Sequence, residues 1–146
     1  MKKLSIKTYK DYDEEYSNYV GVLVKETCLD HVLIKKEDFI IIPEETIILE
    51  LHYPLSKTFH FKITNKNGFK AKDLIQAICS TYQKIYKEEE ETLTTKVLDL
   101  QERGRLTNRN ETDGKYGIYG HDIEDLIIET IYYNPVTKIL CPSMGS

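Results

Sequence analysis

The chain has 146 residues, 40% of them apolar and 30% charged, which suits one domain with a buried core and argues against a disordered segment. Its net charge of -4 offers no broad basic field, so a general nucleic-acid binder held by counterion release is disfavoured. No apolar run approaches the roughly 18 residues of a membrane span, and the opening MKKLSIKTYKDYDEE lacks the apolar core of a signal peptide. The expected location is therefore cytoplasmic or nuclear, with no membrane contact. Cys28, Cys79 and Cys141 match no metal spacing and read as reduced thiols.

In chain order, Tyr9, Tyr12, Tyr16 and Tyr19 are spaced three, four and three, which predicts a short amphipathic helix with Asp11, Asp13, Glu14 and Glu15 between them. Tyr19–Lys25 reads as a valine-rich strand with Gly21 as a bulge. His31–Ile42 reads as a hairpin or a bent strand that Pro43 ends. Thr46–Tyr53 and Phe59–Thr64 form the clearest hairpin, joined through PLSK. Pairing Leu51 with Phe61 and Leu49 with Ile63 places Ile47, Leu49, Leu51, Tyr53, Phe59, Phe61 and Ile63 on one buried face. That register sets Glu50 opposite Lys62 and His52 opposite His60 on the other. Two imidazoles alone make a poor zinc site, and the sequence places no obvious third ligand beside them.

Asn65–Gly68 is a turn, and Phe69 opens the best helix, with Leu74, Ile75, Ile78, Tyr82, Ile85 and Tyr86 as its apolar stripe. The run Glu88–Glu91 at the far end reads as a solvated face. Thr92–Gln101 is ambiguous between strand and helix. Residues 104–120 contain no convincing element, and a loop of that length in a compact domain is usually functional or disordered. Leu126–Tyr133, the turn NPVT and KILC then predict a terminal hairpin. The expected architecture is a single α+β domain over residues 1–146: an antiparallel sheet, one principal amphipathic helix packed on it, and a long loop rich in glycine and arginine.

That loop, 101–125, is QERGRLTNRNETDGKYGIYGHDIED. It holds all three arginines of the chain (Arg103, Arg105, Arg109) and four of the seven glycines. Guanidinium groups suit bidentate grip on carboxylate or phosphate, so the loop reads as a basic tip that docks on an acidic surface. A protein carboxylate patch, such as that of a nucleosome, or a nucleic-acid backbone would serve. Tyr116, Tyr119, His121 and Asp122 complete the candidate partner-binding set. An architectural reading competes: Gly117 and Gly120 turn a tight loop across the sheet, Tyr116 and Tyr119 pack beside it, and the arginines pair with Asp122, Glu124, Asp125 or the Glu88–Glu91 run.

A small enzyme is the alternative, with His121 beside Asp122 and Asp125 as an acid–base or metal site. A metal-binding face of His121, Asp125 and Glu129 requires a helix, whereas the residues after Asp125 read as a strand. No P-loop, dinucleotide or G-x-S-x-G pattern occurs, and no cofactor or metal is expected. A self-associating protein, a homodimer through the tyrosine stripe or a free sheet edge, is the third reading.

The run NRNETDGKYGIYGHDIEDLIIE, with LHYPL and GFKAKDLIQAI upstream, resembles a family of uncharacterised proteins from large DNA viruses of amoebae and some eukaryotes. The resemblance spans roughly residues 47–133 and is most specific at YGIYGHDIEDL, where this chain has Tyr119 in place of the family's tryptophan. It implies a source in an infected cell and supplies no activity. The preferred expectation is a non-catalytic interaction domain.

Overall fold

The computed structural model describes residues 2–4, 8–10, 16–17, 22–24, 32–34, 39–103 and 108–146. Its centre is a six-stranded sheet built around the two hairpins that the sequence predicts. Strands β1 (Lys2–Leu4), β4 (Val22–Leu23), β7 (Thr46–Leu51), β8 (Phe59–Thr64), β10 (Ile127–Asn134) and β11 (Ile139–Gly145) form it in the order β1-β10-β11-β7-β8, with β4 also on β10. Strands β2 (Thr8–Lys10), β3 (Tyr16–Ser17) and β5 (Val32–Ile34) make a separate small sheet, and β6 (Ile40–Ile42) pairs with β9 (Phe69–Lys70). One long helix, α1 (Ala71–Thr92), completes an α+β domain. None of the described helices is long and apolar enough to cross a membrane.

Alternation fixes the faces of the central sheet. Ile47, Leu49 and Leu51 are buried on β7, while Phe59, Phe61 and Ile63 pack partly buried beside them on β8. The helix stripe meets this face: Leu74, Ile75, Ile78, Tyr82 and Ile85 are all fully buried. Each such side chain contributes about 1.5–3 kcal/mol relative to exposure. At the helix start Asp73 accepts the Lys70 N–H at 2.9 Å, placing a negative charge at the positive end of the dipole.

Several expectations are corrected. The hairpin register is shifted by two residues, with Leu51 opposite Phe59, Leu49 opposite Phe61 and Glu50 opposite His60. A two-residue slip keeps every side chain on its face, so alternation cannot detect it. The sheet is mixed, because β11 runs parallel to β7. Tyr9 and Tyr16 lie opposite each other on antiparallel strands rather than along a helix. Tyrosine favours strands, and like-charged acids three or four apart, such as Asp11 with Glu14 and Glu15, weaken a short helix. Tyr12, Tyr19 and Gly21 lie outside the described residues. His31–Ile42 contributes β5 and β6 to different sheets instead of one hairpin. The terminal hairpin forms as predicted, closed by Asn134, whose Oδ1 accepts the N–H groups of Val136 and Thr137.

Candidate functional site

The 108–125 loop is shaped by a residue assigned to solvent on sequence grounds. Glu89, on the last turns of α1, is completely buried. Its Oε2 accepts the Thr112 hydroxyl at 2.6 Å and the N–H groups of Gly114 at 3.0 Å and Ile118 at 3.4 Å. Its Oε1 accepts the N–H groups of Tyr116 at 2.8 Å and Gly117 at 3.2 Å. Burial pushes the carboxyl up, yet the hydrogen bonds from Thr112 and the backbone outweigh it and hold Glu89 below the usual glutamate range. The expectation of a solvated Glu88–Glu91 face therefore holds for Glu90 and Glu91 and fails for the other two. Glu88 accepts the Tyr116 hydroxyl at 2.5 Å and pairs with Lys115 at 3.2 Å.

Two glycines of the loop follow from this geometry. A side chain on Gly114 would meet the Glu89 carboxylate at 2.5 Å from its Cβ. Gly117 has φ of +63°, and a Cβ there would strike the Ser56 side chain. The loop is stitched on its other side to the β7–β8 connection, by Ser56 N–H to Gly117 O at 2.9 Å and Tyr119 N–H to Pro54 O at 3.0 Å.

A second anchor gathers Arg103 and Arg109. Arg103 donates from Nη1 to Asp122 Oδ2 at 2.6 Å and from Nη2 to Oδ1 at 3.4 Å, while its Nε donates to the Leu98 carbonyl. Asp122 raises the Arg103 guanidinium above its ordinary value through these hydrogen bonds. Arg109 reaches the same carboxylate with Nε at 3.8 Å and lies 5.3 Å from the centre of the Tyr86 ring. It is 4% exposed, and its Nη1 has no hydrogen-bond partner among the described residues. The backbone of Arg109 also exchanges N–H and C=O bonds with Gly120.

A third set ties the segment after the helix to the loop. Asn110 Oδ1 accepts the Leu98 N–H, and its Nδ2 donates to the Lys96 carbonyl. Asp113 accepts the Thr94 hydroxyl and the N–H groups of Thr95 and Thr94, which hold its carboxyl down at about 2.

Arg103, Arg109 and Asp122 are thus brought together, as the architectural reading of the sequence had it. Tyr116 belongs to the core, with its ring 4.8 Å from Phe59. Tyr119 stays 40% exposed and stands edge-on to Tyr53. The His121 ring leans on Tyr53, its buried Nδ1 has no hydrogen-bond partner among the described residues, and its carbonyl accepts the Tyr86 hydroxyl. Arg105 lies outside the described residues. No protein family, curated protein or solved structure matches this chain.

Two clefts flank the loop. One of about 430 Å³ is lined by Ser56, Lys57 and residues 111–117. The other, of about 330 Å³, is lined by Tyr86, Lys87, Glu90, Val97, Arg109 and residues 122–124. Val97 of the second cleft is followed in the chain by two exposed apolar side chains, Leu98 and Leu100, 41% and 78% exposed.

The residues that reasoning from sequence passed over are Glu89, Asn110 and Asp113. Glu89 carried a usable signal, since it falls three and seven residues beyond Tyr86 and Tyr82 and so extends the buried stripe.

Proposed function

We propose that this chain is a non-catalytic interaction domain that docks a protein partner through the surface of residues 96–103 and 108–124. The observation that carries the reading is the Glu89 anchor: an irregular loop is held in one shape by five donors on a single buried carboxylate. A loop fixed before binding loses little conformational freedom on contact, which favours recognition. Arg109 and Thr112 are buried in it, while Leu98, Leu100 and Tyr119 remain outside together with charged side chains such as Glu111 and Lys115, and an exposed apolar group with a charged rim suits a protein contact. An acidic partner, whether a nucleosome patch or a phosphate backbone, would have to draw Arg103 and Arg109 away from Asp122. The apolar rim is therefore the better-supported docking element.

The small-enzyme reading has less support. A general base needs an orienting partner, and among the described residues none hydrogen-bonds His121 Nδ1 while Asp122 is engaged by two arginines. Asp125 sits in a 3₁₀ turn, Ile123–Asp125, and Glu129 on β10, so the helical face of His121, Asp125 and Glu129 does not form.

The test compares immobilised wild type with a Leu98→Ser, Leu100→Ser, Tyr119→Ser variant in lysate of the source cell. The three positions are exposed, so the variant is expected to unfold within roughly 4 °C of wild type. Loss of a retained protein with the variant supports the rim. Retention equal to wild type overturns it.

A further inference from the structure

Ladder pairing lines up chemistry on the outer face of the central sheet, away from α1, that sequence order keeps apart. The antiparallel register sets His60 of β8 opposite Glu50 of β7. The parallel register, Ile139 with Ile48 and Leu140 with Leu49, carries Cys141 of β11 alongside Glu50. His52 stands two residues beyond Glu50 and returns to the same face. A carboxylate, two imidazoles and a thiol are thereby collected from three strands.

The donor atoms converge. Glu50 Oε1 is 3.2 Å from His60 Nε2, and Oε2 is 3.6 Å from His52 Nε2. One ligating atom each from Glu50, His52 and Cys141 all lie within 4.8 Å of one another. Around a tetrahedral zinc ion, with bonds of about 2.0–2.3 Å, donors sit roughly 3.3–3.8 Å apart. Closing the set takes a movement of about an ångström, within the reach of side-chain rotation on a half-exposed face.

The surroundings of His52 match those of a ligand. Its Nδ1 lies 2.9 Å from Thr58 Oγ1. With the proton on Nδ1 and donated to Thr58, Nε2 turns its lone pair toward Glu50. Metal-binding histidines are held in this way, the second ring nitrogen fixed by a hydrogen bond that sets tautomer and orientation. Without a cation, that lone pair faces a carboxylate. Among the described residues the ion-pair partners of Glu50 are His52 and His60 alone.

We propose that Glu50, His52 and Cys141 bind a divalent transition ion of the zinc class, with His60 positioning the Glu50 carboxylate. One thiolate, one imidazole and one carboxylate form a donor set that suits zinc, whereas magnesium and calcium take oxygen ligands. On binding, the Cys141 S–H bond breaks, sulfur donates its electron pair to the metal, and the proton passes to solvent. The fourth position is left to water.

The experiment is a cobalt(II) titration of the full chain after chelator treatment and dialysis, followed by competition with zinc. The expected result is one ion per chain, a thiolate-to-cobalt absorption band in the near ultraviolet, and strong visible bands of a tetrahedral ion. Cys141→Ser should abolish the near-ultraviolet band. His52→Ala should weaken zinc binding by more than about a hundredfold, and His60→Ala by about tenfold with the band retained. Absence of the band in wild type overturns the proposal, as does its survival in Cys141→Ser or an unchanged zinc affinity in His52→Ala. Because the His52 ring is exposed, that variant keeps the test decisive even where Cys141→Ser fails to fold.

Discussion

Glu89 and Glu50 are carboxylates on regular elements of one small domain, and their surroundings are opposite in kind. Glu89 is surrounded by donors, one hydroxyl and four backbone N–H groups, and is completely shut off from solvent. Glu50 is half-buried, takes one donor from His60 Nε2 at 3.2 Å, and otherwise stands beside His52 and the Cys141 thiol. A carboxylate whose valences are filled by fixed amides is architecture: it needs nothing from outside and sets the shape of what surrounds it. A carboxylate with one donor and two further candidate ligands beside it keeps lone pairs unfilled, which a cation would meet. Burial alone would have ranked them the other way, making the hidden glutamate the more suspicious of the two.

The largest test of this contrast removes Glu89. Glu89→Ala leaves buried backbone donors without an acceptor and is expected to cost about 3–5 kcal/mol in urea unfolding. Glu89→Gln should recover little, because its amide nitrogen would point a donor at donors. The pH dependence follows the same logic. The folded-state pKa of Glu89 is depressed, so its stabilisation is present above the ordinary glutamate range and is lost as pH falls through the lower folded value. Amide exchange at Gly114, Tyr116 and Gly117, corrected for intrinsic rates, should therefore accelerate on acidification below that range. Protection that persists unchanged in acid would contradict the anchor.

A smaller loss is expected at the second anchor. Asp122→Ala strands the buried Arg109 and should destabilise by about 2–3 kcal/mol, below the full value for a buried pair because Asp122 is partly exposed. The same substitution discriminates between readings of the loop. If Asp122 only holds the arginines down, its removal frees them, and binding to a negatively charged resin should rise together with the loss of stability. Stability that falls without any change in resin binding would show that the guanidinium groups stay inside.

Gly117→Ala should cost about 1–2 kcal/mol, since it forces an alanine to positive φ and against Ser56. Gly120→Ala is the control. Its φ is also positive, at +79°, but nothing lies within 4 Å of the added methyl, so about 1 kcal/mol is expected. Equal losses at the two positions in thermal unfolding would mean that the Ser56 contact does not matter.

What could be read from the sequence divides along physical lines. Period-two and period-3.6 patterns report which face is buried, and the β7–β8 faces, the α1 stripe and the terminal hairpin follow from them. They do not report register in steps of two, and this is why Glu50 was set against Lys62 instead of His60. Nor do they report partners across a parallel pair, so Cys141 could not be placed beside Glu50 from residues more than ninety positions apart. The loop was legible as a special region from its glycines and arginines, and the pairing of arginines with Asp122 was among its readings. Its centre was missed because a run of four glutamates looks uniform, although only Glu89 continues the apolar stripe inward.

The smallest expected effect completes the contrast between the two glutamates. Glu50 is half-buried, its partner imidazoles stay more than half exposed, and such interactions contribute about 0–1 kcal/mol. In chelator-treated protein, Glu50→Gln should therefore shift the urea midpoint hardly at all, against several kcal/mol for the same change at Glu89. Added zinc should separate the two further. A ligand that binds only the folded chain raises its stability with concentration, so zinc should stabilise wild type and Glu89→Gln while leaving Glu50→Gln where it was. A large loss for Glu50→Gln without metal would place this glutamate with Glu89, as a group the fold itself depends on.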